Sequence, residues 1–206
     1  MIFFYLAGAV VLVAVVWLVQ GVRRIGAVSD GKLIGDRPGT ALLLIDLQSV
    51  FWEHGPYSQT SKSAAAAVIL CEIQTARTRG VPIVAVRQEW SIPSTKVIAQ
   101  MMMKGQAVEG TAGTELAAPF AELADYVVVK RVQDAFETGE LDALLAKLKI
   151  GKLRIAGLDL NYCVQKTALA AKNRGYDVAV IKDGTLSAAP TQRAERLMAS
   201  RGVALQ

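Results

Sequence analysis

Short apolar segments and segments of helical periodicity alternate along the chain from residue 40 to residue 206. The apolar segments have the length of strands and read TALLLIDL, VPIVAVR, DYVVVK, KLRIAGL and DVAVIKD. The segments between them show helical spacing, and a short VALQ segment follows near residue 206. Strands that are apolar throughout and alternate with helices are typical of a parallel sheet covered on both faces. We therefore predict an α/β fold, a three-layer α-β-α domain with a mostly parallel sheet of about six strands.

Five segments carry the helical pattern clearly enough to predict helices. They are KSAAAAVILCEIQTARTRG, TELAAPFAELA, ELDALLAKLKI, VQKTALAAKNRGY and a stretch from about Pro190 to Arg201. Between Trp90 and Gly113 the chain contains Pro93 and several glycines, and there we predict loops.

An apolar segment near the beginning of the chain is different from all of these. Ile2 to Val22 contains no charged residue and is long enough to cross a bilayer core of ~30 Å as a helix. Arg23 and Arg24 follow it directly, and basic residues are enriched on the cytoplasmic side of membrane spans. A cleaved signal peptide would have a shorter apolar part that follows a basic one. We therefore predict a single-pass membrane protein, held in the lipid bilayer through residues 2–22, whose folded domain faces the cytoplasm.

Composition divides the chain into three parts and argues against a nucleic-acid partner. The predicted parts are an anchor over residues 1–24, a glycine-rich linker over residues 25–39 and the folded domain over residues 40–206. The net charge of +5 is modest, and no arginine-rich run suggests a nucleic-acid partner. Two cysteines do not form the disulfide framework of a secreted domain, in agreement with a reducing compartment.

Three chemically capable side chains follow strands of the predicted sheet. Asp46 ends the first strand, Lys130 ends the third, and Cys163 follows the fourth. In parallel α/β sheets the ligand site lies beyond the carboxyl ends of the strands, so these residues should meet. Cys163 would lie in the first turn of a helix, where the helix dipole favours a thiolate, although a buried apolar role is the alternative. Cys71, within a helical pattern, is predicted to pack in the core.

The motifs around these residues resemble the isochorismatase-like cysteine hydrolases, a superfamily that includes nicotinamidases, N-carbamoylsarcosine amidases and isochorismatases. The resemblance rests on LLLIDLQ, VVVKRVQDAF and IAGLDLNYCVQKTALAA, and it covers about residues 40–206. It implies a nucleophilic Cys163, a general base at Asp46, and Lys130 as the residue that positions that base. It also implies an oxyanion hole formed by the backbone N–H groups of Asp159 and Cys163, after a cis peptide bond between Leu158 and Asp159.

The resemblance further implies a small-molecule substrate with a C–N bond, no cofactor, and leaves a homo-oligomer open. Aromatic residues that follow strands are candidates for binding a partly planar amide or ureido substrate: Phe51, Trp52, Trp90, Phe136 and Tyr162. The sequence has one histidine, His54, which cannot by itself form the histidine-rich metal site of some relatives, so we predict no metal. Two alternatives stay open: a catalytically idle membrane-tethered binding or scaffold module, and a vinyl-ether hydrolase of the isochorismatase type.

Overall fold

The computed structural model describes residues 2–206, which form six strands and seven α-helices within that range. The strands are β1 Gly39–Ile45, β2 Ile83–Gln88, β3 Tyr126–Lys130, β4 Ile150–Leu158, β5 Asp177–Leu186 and β6 Ala204–Leu205. The helices are α1 Ile2–Ile25, α2 Ser49–Trp52, α3 Gln59–Thr78, α4 Pro93–Met102, α5 Glu140–Lys147, α6 Gln165–Asn173 and α7 Gln192–Ser200.

The six strands form one parallel sheet in the order β3-β2-β1-β4-β5-β6. β1 lies in the middle and pairs with β2 on one side and β4 on the other. The chain moves outward from β1 to β3, then returns to β4 on the other side of β1, which creates a topological switch point between β1 and β4. The predicted α/β fold with a parallel sheet is confirmed.

Apolar side chains cover both faces of the sheet. One buried cluster joins the sheet to α5, α6 and α7, and a second joins it to α3. A third, smaller cluster lies outside the sheet, where Ile25 at the end of α1 meets Ile98 of α4 and Trp90. The three layers therefore follow from the alternating pattern, whereas the contact between α1 and α4 does not.

Two segments differ from the prediction. Residues 93–102 form α4 where we expected loops, because Pro93 occupies the first helical turn, where its missing N–H costs nothing. The predicted helix in TELAAPFAELA is reduced to one 3-10 turn, Ala118–Phe120, because Pro119 cannot continue a helix from the residues before it. Cys71 is exposed on α3, so the prediction that it packs in the core is wrong.

Helix α1 has 24 residues, and its segment Gly8–Ile25 is apolar enough, with a mean hydropathy of 1.7, to cross a membrane by length and composition. The residues between α1 and β1 contain neither helix nor strand, yet they lie against the domain. The N–H of Ser29 donates to Asp134 Oδ2 at 2.7 Å, and that of Ile34 donates to the carbonyl of Arg174 at 2.9 Å. The segment predicted as a linker is therefore held in place by hydrogen bonds.

Candidate active site

Asp46 lies immediately after β1, at the carboxyl edge of the sheet. Its N–H donates to the carbonyl of Val86 at 2.8 Å, which keeps it in line with the neighbouring strand. Its φ of 53° is in the left-handed region, which aspartate tolerates better than most residues. The side chain is buried, and its Oδ1 has no hydrogen-bond partner among the described residues. This oxygen is therefore available to accept a proton within the site.

Lys130 is the last residue of β3 and is completely buried. Its Nζ lies 3.0 Å from Asp46 Oδ2 and 3.3 Å from Cys163 Sγ. The same ammonium donates to the carbonyl of Val132 at 3.2 Å and to Gln88 Oε1. A buried charge is stable only when it is paired and hydrogen-bonded, and these four contacts satisfy that condition. The structure thus brings together the three residues that the strand ends predicted.

Cys163 lies in a π-helical turn, Leu160–Val164, that joins β4 to α6. The turn continues directly into α6, so Cys163 precedes that helix rather than occupying its first turn. Burial raises the pKa of the thiol, the carboxylate of Asp46 raises it further, and the ammonium of Lys130 only partly opposes them. Burial and Asp46 therefore oppose the thiolate that the helix terminus is expected to favour, and that expectation stays a prediction.

The electrostatics of the other two residues follow from the same burial. Desolvation raises the pKa of Asp46 above its ordinary value, although Lys130 pulls it down. Desolvation alone would lower the pKa of Lys130, but the carboxylate of Asp46 and the hydrogen bonds to Asp46 and Cys163 outweigh it, so the pKa is raised. The site therefore contains a stable ammonium beside a carboxylate that is more basic than usual, which is the state that a proton acceptor needs.

Gly157 near the end of β4 allows the central strands to approach closely. It pairs with Ile45 in the β1–β4 register, and its φ is 124°. A Cβ at this position would lie 2.1 Å from the Ile45 carbonyl oxygen, so no side chain fits. Because Asp46 follows Ile45 and the π turn follows β4, this close approach brings together the chain segments that carry Asp46 and Cys163.

The backbone at the expected oxyanion hole differs from the prediction. The described residues contain no cis peptide bond, so the bond between Leu158 and Asp159 is trans. Trans is the lower-energy form when no proline is involved, and Asp159 has an ordinary extended conformation with φ of −84° and ψ of 143°. The predicted cis bond is therefore wrong, while the role of the Asp159 and Cys163 N–H groups stays a prediction.

The Asp159 side chain has a structural task next to the π turn. It accepts hydrogen bonds from the N–H groups of Asn161 and Ala188, both at 2.8 Å, and from the Tyr57 hydroxyl at 3.3 Å. It therefore joins the end of β4 to the loop after β5 and to the loop between α2 and α3. Burial raises the pKa of Tyr57, and Asp159 and Cys163 contribute, so its hydroxyl is a neutral donor at the edge of the site.

Sequence reasoning missed two glutamines that support the lysine. Gln88, the last residue of β2, accepts from Lys130 Nζ and donates through Nε2 to the Lys130 carbonyl at 3.3 Å. Gln48 donates to the Gln88 carbonyl at 3.0 Å and accepts from its N–H, which joins the ends of β1 and β2. Both are buried. The sequence could have indicated both glutamines, because each stands directly after an apolar segment that predicts a strand.

The five aromatic candidates occupy different surroundings. Trp52 packs edge-on against Phe120, with ring centroids 4.8 Å apart, and Phe136 packs against Tyr176 and under Arg174. Phe51 and Trp90 also belong to apolar clusters, which accounts for their positions by packing. Tyr162 is different because half of its surface is exposed directly beside Cys163. It is the best placed of the five to meet a ligand.

The donor set does not fit a metal ion. Among the described residues no three His, Cys, Asp or Glu side chains stand close enough together to hold one. His54, the histidine of the chain, is exposed in the loop after α2. The ammonium of Lys130 already occupies the position between Asp46 and Cys163, so a cation there would meet a positive charge.

Comparisons with known proteins agree with this architecture. The isochorismatase domain model matches residues 40–204. A probable inactive nicotinamidase of Arabidopsis thaliana is 32% identical over 164 residues, which cover 73% of this chain and 82% of that protein. The pyrazinamidase of Pyrococcus horikoshii in complex with zinc is 24% identical with a TM-score of 0.69, covering 82% of this chain and 99% of that one. The N-carbamoylsarcosine amidase of Thermoplasma acidophilum is 23% identical with a TM-score of 0.69, covering 82% and 96% respectively. The solved structures share the fold of this chain, and the chain belongs to the isochorismatase domain family.

Proposed function

We propose that the protein is a cysteine hydrolase that cleaves a C–N bond of a small amide or ureido compound. The observation that carries this proposal is the buried ammonium of Lys130, which touches both Asp46 Oδ2 and Cys163 Sγ at the carboxyl edge of the sheet. A base, a cation and a thiol in mutual contact are the parts that nucleophilic acyl transfer requires. The names of the structural relatives, an N-carbamoylsarcosine amidase and a pyrazinamidase, suggest small amides as the substrate class.

The first half of the reaction transfers the acyl group to sulfur. Asp46 accepts the thiol proton as the Cys163 sulfur attacks the carbonyl carbon, which forms a C–S bond and a tetrahedral oxyanion. The C–N bond then breaks, and the leaving nitrogen takes the proton from Asp46 and departs as an amine or ammonia. A thioester on Cys163 remains.

The second half restores the enzyme. A water molecule attacks the thioester carbon while Asp46 accepts one of its protons. The C–S bond breaks, the acid product leaves, and the proton on Asp46 returns to the sulfur of Cys163. The net reaction consumes one water molecule and needs no metal or redox group.

Lys130 has two tasks in this scheme. Its ammonium fixes the orientation of Asp46, and it stabilises the thiolate during attack. The backbone N–H groups of Asp159 and Cys163 are proposed as donors to the oxyanion, a role that depends on the resemblance to the family.

We also propose that α1 anchors the protein in a membrane, with the folded domain on the cytoplasmic side. The length and hydropathy of Gly8–Ile25 support the span, and the exposed Arg23 and Arg24 at its end support the orientation. The exposed side chains between Val10 and Val19 of α1 are apolar, which suits contact with lipid tails.

A catalytically idle module of the same fold is the second candidate. The Arabidopsis relative is called a probable inactive nicotinamidase, and burial raises the pKa of the Cys163 thiol in the resting site. This candidate predicts no turnover of any amide. A vinyl-ether hydrolase would instead depend on Asp46 and keep its activity when Cys163 is replaced.

The test is a panel of primary amides and N-carbamoyl compounds, with ammonia release as the signal. We expect Cys163→Ala to reduce the turnover of the best substrate to below about one thousandth, because the nucleophile is gone. Cys71→Ala is the matched control and should leave turnover unchanged, since Cys71 is exposed on α3. Equal turnover by Cys163→Ala would refute the covalent mechanism, and no turnover by the native chain would favour the idle module.

A further inference from the structure

Helix α1 does not extend freely from the domain, because its last turns pack closely on α4. A Cβ at Gly21 would lie 2.7 Å from Ile98 Cδ1 and 2.8 Å from Ser94 Cβ, so only glycine permits this approach. Small residues at helix contacts are what allow two helices to pack this closely. Ile25, one turn further on, is buried in the same cluster as Ile98.

The contact lies at the end of the segment that would cross the membrane. Gly21 and Ile25 both belong to the apolar span Gly8–Ile25. Trp17 and Arg24 face Ser94 of α4 across a gap of about 240 Å³. Tryptophan and arginine are the residues that concentrate where hydrocarbon meets water. If α1 crosses a bilayer, α4 therefore lies at the level of the lipid headgroups.

The outer face of α4 is apolar at its end. Ser94, Thr95, Ile98 and Ala99 face the protein, whereas the adjacent Met101 and Met102 are 73% and 75% exposed. Two neighbouring methionines give a flexible apolar surface that adapts to a disordered partner such as lipid.

Exposed basic residues lie near the end of α1 and just beyond α4. Lys104 is exposed two residues beyond the methionines, and Arg23 and Arg24 are exposed on α1, which packs against α4. An amphipathic helix with apolar side chains beside exposed lysine and arginine is typical of binding to an anionic membrane surface.

We propose that Met101 and Met102, together with Lys104, form a second membrane-contact surface whose partner is an anionic lipid bilayer. This inference rests on the proposed anchoring by α1. With two contacts the domain has a fixed orientation on the membrane, because α1 and α4 form one packed unit. That unit is also close to the catalytic edge, since the N–H of Gln133, three residues after Lys130, donates to the Ile25 carbonyl at 3.1 Å.

The experiment uses the full chain in vesicles that contain anionic phosphatidylglycerol. Cys71→Ser and Cys163→Ser remove the native thiols, and Met102→Cys then carries an environment-sensitive fluorophore. Lipids with a nitroxide near the top of the acyl chain quench a fluorophore that lies ~5–10 Å into the headgroup region. Leu197→Cys is the matched control, because Leu197 is also an exposed apolar residue, 41% exposed on α7.

We expect the label at residue 102 to lose at least about twice as much fluorescence as the label at residue 197, and Met101→Cys should repeat the result. Equal quenching at both positions in a chain that resists carbonate extraction would overturn the lipid contact and leave the anchor in place. A blue-shifted but unquenched label would instead indicate burial against a second copy of the chain, which also overturns it. Extraction by carbonate would refute the anchor and this inference together, while amide turnover in detergent tests the hydrolase separately.

Discussion

Replacing Lys130 by methionine should make the Cys163 thiol much less reactive. The ammonium lies 3.3 Å from Cys163 Sγ. At that separation and an effective dielectric constant of ~20, its attraction for a thiolate is ~5 kcal/mol. Water that enters the enlarged site will reduce this attraction. Even a third of the ~5 kcal/mol would change the equilibrium constant for ionisation of the thiol by about tenfold. We therefore expect alkylation of Cys163 in Lys130→Met to be slower by at least about tenfold.

Replacing Asp46 by asparagine should have the opposite effect on the thiol. The carboxylate raises the pKa of Cys163, and the isosteric amide removes its charge while Lys130 remains. Alkylation should therefore become faster in Asp46→Asn. Amide turnover should nevertheless be lost, because no base is left to accept the thiol proton and return it to the leaving nitrogen.

The assay is alkylation by iodoacetamide, followed by mass spectrometry over a range of pH. Cys71 is exposed and serves as the internal reference in every sample. In the native chain, alkylation of Cys163 should rise only well above pH ~8.5, the ordinary thiol value, because burial raises its pKa. If both substitutions change the rate in the same direction while the fold is intact, the electrostatic account of the site is wrong.

Two glycines give further predictions, each with a control at another glycine. Gly157→Ala should lower the free energy of unfolding by about 3 kcal/mol or more in a denaturant titration, because the methyl group would meet the Ile45 carbonyl. Gly80→Ala has positive φ but open space around it, so it should cost only about 1 kcal/mol; equal losses would contradict the close-approach argument. Gly21→Leu should lower the melting temperature in detergent by roughly 2–10 °C, whereas Gly8→Leu should not, since nothing lies within 4 Å of Gly8. Equal melting temperatures would show that α1 does not depend on close packing with α4.

The strand ends were predictable because the pattern itself defines them. TALLLIDL and DYVVVK are apolar until one charged residue, so Asp46 and Lys130 could be placed at the sheet edge before any contact was known. The contact itself depends on strand order, which places β3 two strands from β1. Sequence spacing does not contain that order. It was available here through the resemblance of the motifs to a family.

The remaining residues were not predictable for different physical reasons. Gln88 is one of several polar residues in RQEW, and only the burial of its amide between β2 and Lys130 distinguishes it. Helix α4 was missed because Pro93 was interpreted as a sign of loops, although proline is also favoured in a first helical turn. The packing of α1 on α4 depends on the absence of a side chain at Gly21. A glycine within a long apolar segment does not by itself predict that another helix packs against it.

The raised pKa of Cys163 changes how the site must be activated. A thiol in the first turn of a helix would be acidified by the helix dipole before any substrate arrived, and the sequence suggested such a site. In the π turn the sulfur is instead desolvated and close to the carboxylate of Asp46, and both effects raise the pKa of the thiol. The free Oδ1 of Asp46 gives the thiol proton a destination within the site. We therefore expect proton transfer to Asp46 to accompany attack on the substrate, so that turnover depends on Asp46 as well as on the nucleophile.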